Sequence, residues 1–84
     1  MILKYIILKN ENIPIFFSNS VVNHADIAFG LGEVISAGYC IFKNKGNKIS
    51  VVCYGSSSSL NIDSHPETDK KILEKLLNPV LQNL

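Results

Sequence analysis

Two β-rich runs open the chain, "ILKYIILK" and "IPIFFS", in which neighbouring side chains alternate between two faces with a period of two. Residues 2–9 and 13–18 are therefore predicted as strands joined across Asn10, Glu11 and Asn12 in a tight hairpin. In that hairpin Ile6, Leu8, Ile13, Ile15 and Phe17 share one side, and Tyr5, Ile7 and Phe16 share the other. Both sides are apolar. Pro14 has no N–H to give to a ladder, so the second strand is expected at an edge, or paired only on the far side of Pro14.

The next pattern is helical and short. Asn23 is placed to cap a helix of about two turns, Asp26 follows three residues on, and Gly30 and Gly32 stop it. "EVISAGYCIFK" and "KISVVCYG" read as two further strands through "NKGN", with Gly46 supplying positive φ. Pairing Lys43 with Lys48 sets Cys40 opposite Val51 and Gly38 opposite Cys53. Cys40, Phe42, Ile49, Val51 and Cys53 then share one face, and Tyr39, Ile41, Val52 and Tyr54 the other.

The last segment carries the strongest local signal. Ser64 and Glu67 have capping-box spacing, Pro66 sits in the first turn, and Glu67 and Asp69 precede Lys70, Lys71 and Lys75 as the helix dipole prefers. Leu73, Leu76, Leu77 and Val80 form an apolar stripe, and Pro79 ends or kinks the helix at Asn78 before the tail "VLQNL". The order is ββαββα, an α+β fold over residues 1–84 as one small domain, with two helices on one face of a four-stranded antiparallel sheet. The halves resemble each other, "IILKNENIPIFF" with "CIFKNKGNKISVV" and "NHAD" with "SHPETD", so an internal duplication is one explanation of the order. A bare second face would need a cover.

Composition adds constraints on partners. A chain of 84 residues builds one modest core, which favours a homo-oligomer that buries the bare face. The net charge of +1 comes from scattered lysines with no arginine, so there is no electrostatic footprint for duplex nucleic acid. Lys4, Lys9 and Glu11 interrupt the opening apolar run well short of a membrane span, and no small-residue cleavage site follows it. A cytoplasmic protein with reduced Cys40 and Cys53 is expected.

Four places hold candidate chemistry. "GSSSSL", ahead of a capped helix, offers hydroxyls and backbone N–H groups to an anion, although it lacks the glycine pattern of a phosphate loop and is otherwise a polar corner. Any small-molecule site is expected at Ser56, Ser57, Ser58 and Ser59, with Tyr54 and His24 beside them, and these exposed hydroxyls should contribute little to stability. His24 and His65 lie near Asp26, Glu67 and Asp69, which permits an acid/base pair, but their first-turn positions have a local explanation too. No metal-ligand spacing and no cofactor motif is present, and the two cysteines, diagonal in the register above, read as strand packing. Tyr39 and Tyr54 form a stacking platform or an apolar interface.

The succession "NHADIA", "VISAGYC", "CYGSSSSL" and "SHPE" resembles a set of small uncharacterised proteins of bacteriophages and bacteria, over about residues 3–74. No activity is attached to that set, so the resemblance implies context and no residue roles. That context is a non-enzymatic binding protein of phage type, an inhibitor of host defence or a sponge for a small anionic, nucleotide-like signalling molecule. The alternatives are a protein–protein inhibitor module bound to a host defence protein, and a small hydrolase using a histidine and a carboxylate.

Overall fold

The computed structural model describes residues 2–20 and 23–78. Strands β1 (Ile2–Leu8), β2 (Pro14–Ser18), β3 (Val34–Lys45) and β4 (Lys48–Tyr54) form one antiparallel sheet in the order β2-β1-β3-β4. Helices α1 (His24–Ala28) and α2 (Pro66–Leu77) and a small hairpin of β5 (Ser56–Ser57) and β6 (Ile62–Asp63) complete an α+β fold. Pro14 lies in an edge strand as its chemistry requires. Leu8 N–H donates to Ile13 O at 2.9 Å, so alternate residues from Ile13 face β1, and Pro14 turns its missing donor outward.

The two apolar faces of β1 are covered by different elements. Tyr5 and Ile7 pack with Cys40, Val51, Cys53 and Leu73 of α2, whereas Ile6 and Leu8 pack with Ala37 and Ala28 of α1, joined by Leu60 and Ile62 of the small hairpin. The helices therefore lie on opposite faces, not on one. A strand apolar on both sides needs two covers, and one helix stripe supplies only one. Opposite placement also makes the two halves of the chain inequivalent in three dimensions. The case for a homo-oligomer that covers a wholly bare face loses its premise.

The β3–β4 register is two residues from the expected one. Lys45 pairs with Lys48, Cys40 with Cys53, and Tyr39 with Tyr54. The cause is the turn: Gly46 at φ 69° occupies the first central position of a two-residue turn, where a type II′ hairpin requires it. An even shift leaves every side chain on its expected face.

Helix α2 also closes the outer edge of β4. Asn78 takes Ile49 N–H on Oδ1 and donates Nδ2 to Ile49 O, both at 2.9 Å. Glu74 accepts Val51 N–H at 2.7 Å, and Lys70 Nζ donates to Val51 O at 3.1 Å. Side chains stand where a fifth strand would hydrogen-bond, which blocks edge-to-edge pairing there. The pattern also identifies Cys40 and Cys53 as a non-hydrogen-bonded pair, directly opposite and not diagonal.

Helix ends agree with the sequence in part. Asn23 and Asp26 form a capping box on α1, which is five residues long. The α2 cap is His65, so the Ser64–Glu67 box does not form, and Ser64 Oγ donates instead to Gly55 O at 2.7 Å. Leu73 is buried and Leu77 half-buried, but Leu76 is 49% exposed, and the packed stripe uses Ile72 instead. Val80 and the tail lie outside the described residues. Among the described residues no helix is long and apolar enough to cross a membrane.

Candidate functional site

The serine loop, His24 and Tyr54 do converge, although the hydroxyls are used differently from expectation. Ser57 is buried, and its Oγ lies 3.3 Å from Ser59 Oγ and accepts Leu60 N–H at 3.1 Å. Ser59 Oγ accepts Ala25 N–H at 3.1 Å at the start of α1. Replacing both would leave two backbone donors without these partners, so the pair supports the fold and is not neutral to stability. Ser56, Ser58 and Ser59 are the exposed members of the run, and of these Ser59 is tied to Ala25.

Behind the loop runs a row of rings. His24 Nε2 lies 2.9 Å from Gly38 O, and since a carbonyl only accepts, that nitrogen carries the proton. The ring meets Phe17 and Tyr39 edge-on at centroid distances of 5.4 and 5.8 Å, and Tyr39 stacks on Tyr54 at 5.7 Å. Gly55, at φ 80°, admits this stack, because a Cβ there would sit 2.9 Å from the Tyr39 ring. His24 is buried and positions Tyr39; Tyr54 is 37% exposed.

On the α1 side of the sheet Phe17, Lys4, Tyr39 and Tyr54 occupy one cross-strand row, and Ile2, Ile41 and Val52 the next. The core under α1 takes in Phe17 but none of the others in these two rows. Ile2 and Val52 are 43% and 41% exposed, so half of this face is open, with exposed Lys43 on the same side beyond Ile41.

Burial lowers the His24 pKa below the ordinary 6.5; the bond to Gly38 opposes this, and the nearby Lys4 charge adds to it. The folded chain thus favours the neutral ring. The stability this provides is complete above the unfolded value and is lost as pH falls through the lower folded one. The thermal midpoint should fall from about pH 7.5 to about pH 5, and His24→Gln should flatten that limb. A midpoint constant over that range would contradict the assignment. Glu74, held below the usual carboxylate range first by its hydrogen bond from Lys70, acts only under its ordinary 4.5, which separates the two windows.

The second polar cluster was only half legible. His65 and Asp69 were visible as neighbours, but Tyr5 and Ser36 join them across 64 and 33 residues. Asp69, 1% exposed, accepts on Oδ2 from the Tyr5 hydroxyl, from Ser36 Oγ and from His65 N–H at 2.9 Å. Ser36 Oγ also lies 3.0 Å from His65 Nδ1. Burial, then the bond to Asp69, raises the Tyr5 hydroxyl above its usual range and keeps it a donor. Ser36 aims its proton at Asp69 and is buried, an arrangement unlike a nucleophile activated by histidine.

The two histidines do not meet: His24 sits on the α1 side, and His65 bonds Ser36 beside α2. Among the described residues no three His, Cys, Asp or Glu side chains could hold a metal ion together. Cys40 and Cys53 are free and buried, and burial raises their thiols to about 12 and about 11. No protein-family model matches the chain, and no curated protein or solved structure matches it either.

Proposed function

We propose that the chain is a non-enzymatic binding protein that sequesters a small anionic, nucleotide-like molecule on the open half of the sheet. The observation that carries this reading is the stacked Tyr39–Tyr54 pair, with Tyr54 accessible at the Gly55–Ser56 corner. An aromatic ring on an open antiparallel face stacks a base whatever its sequence context. Lys43 on the same face is the cation for the phosphate, and exposed Ser56 and Ser58 add hydroxyls. His24 supports the platform from beneath.

Titration calorimetry with adenosine diphosphate and with a cyclic dinucleotide tests it. Tyr54→Ala should weaken binding at least about tenfold, near 1.4 kcal/mol, while the protein stays folded. No heat with either nucleotide up to about 1 mM, or the same affinity in the variant, would sink the proposal. A second reading, self-association through the exposed Ile2 and Val52 beside Ile41, rests on the same open face. Sedimentation at micromolar concentration separates the two, because Val52→Lys should dissociate an oligomer and leave nucleotide stacking on Tyr54 in place.

A further inference from the structure

On the opposite side of the sheet a groove runs between the Asn10–Asn12 turn and α2. One hollow of about 340 Å³ is lined by Ile35, Ser36, His65, Asp69 and Ile72, and Asn12 and Ile72 connect it to a second of about 480 Å³, lined by Pro14 and Leu76 together with the oppositely charged Glu11 and Lys75. Its walls are built by irregular backbone. Ile35 is the extra residue of a bulge in β3, since Leu8 pairs with Val34 while Ile7 pairs with Ser36. Glu11 and Asn12 both take left-handed conformations, at φ 59° and 52°, which non-glycine residues rarely adopt.

The polar end has a fixed hydrogen-bond polarity. Asp69 can only accept, so the one hydroxyl proton of Ser36 lies on the 2.5 Å bond to its carboxylate. Ser36 Oγ is then an acceptor, for His65 N–H at 3.2 Å and for His65 Nδ1 at 3.0 Å. Nδ1 must therefore hold the proton, and in the neutral ring Nε2 is a bare acceptor. Nε2 has no partner among the described residues, and His65, an exposed residue, lines the hollow.

We infer that this groove is a second ligand site, independent of the tyrosine face, for an uncharged molecule with a flat apolar body and one N–H donor. The N–H donates to His65 Nε2, and the body lies against Ile35 and Ile72, with Leu76 beyond. Specificity comes from the donor, because a site built around a fixed acceptor discriminates against an analogue that cannot donate.

Indole and N-methylindole are the probes, since a methyl group replaces the donor in the second. In a ¹H–¹⁵N titration of the intact protein, indole should shift the amides of Ile35, His65 and Ile72, with affinity about five- to tenfold above N-methylindole. His65→Phe, which keeps the backbone N–H bonds to Ser36 and Asp69, should abolish that preference. Tyr54→Ala should leave it unchanged, so failure here is distinguishable from failure of nucleotide binding. Equal binding of the two probes, shifts confined to the Tyr54 face, or no shifts up to the solubility of indole would each overturn the inference. So would a long-range imidazole ¹⁵N spectrum showing the Nε2–H tautomer of His65.

Discussion

Asp69→Ala is expected to remove about 3–5 kcal/mol of stability, most of what a domain of this size holds in reserve. The cause is local and specific. One buried carboxylate oxygen accepts three donors, the Tyr5 and Ser36 hydroxyls and His65 N–H, which come from β1, β3 and the cap of α2. An alanine takes this acceptor from all three in a site where Tyr5 is 0% and Ser36 2% exposed; His65 N–H keeps only its 3.2 Å bond to Ser36 Oγ, and each stranded buried donor costs about 1–3 kcal/mol. Tyr5→Phe removes a single donor along with its need for a partner and should cost about 1–2 kcal/mol. Urea unfolding followed by circular dichroism measures both. An Asp69→Ala variant less than about 1 kcal/mol below the parent would show that the cluster is incidental to the fold.

Gly38→Ala should be nearly as damaging, for a steric reason. A Cβ at Gly38 would stand 2.5 Å from the backbone oxygen of Tyr54 and 3.1 Å from Ser64 Cβ. The first contact is with backbone, so no rotamer relieves it, and β3 and β4 must part at the end where Tyr39 pairs with Tyr54. Overpacking of this kind costs about 1–3 kcal/mol, and the displaced Gly38 carbonyl is also the partner of His24. Thermal unfolding of the variant should show a midpoint lowered by roughly 6–20 °C for a domain of this length. An unchanged midpoint would mean that the close approach of strand and loop is easily relaxed.

Gly38 also marks the limit of legibility. In the sequence it is a glycine within an apolar strand, a sign of close backbone approach or of a bulge. That the approaching groups are Tyr54 O and Ser64 Cβ depends on how the chain turns after β4. The same division runs through the molecule. Pro14 at an edge, the Asn23 cap of α1, the end of α2 at Asn78 and the two faces of each hairpin were all readable, because each is decided within a few residues by a missing donor, a cap or the period of the pleat. Even the register error at Gly46 was local, since its place at the first central position selects the shorter turn.

The serine loop shows where such reading stops. Four serines in a row are equivalent in sequence, yet folding buries Ser57 against Leu60 N–H, ties the exposed Ser59 to Ala25 N–H, and leaves Ser56 and Ser58 exposed. Asp69 looked like a helix-dipole residue and is instead the centre of a buried network, because β1 pairs with β3 and Ser36, opposite Ile7, faces the α2 side with Tyr5. Placement of the helices on opposite faces was likewise decided by packing, as each apolar face of β1 had to find its own cover. Contacts between residues 33 and 64 positions apart leave no periodicity behind, since the free energy that selects them is gained only after the strands have paired.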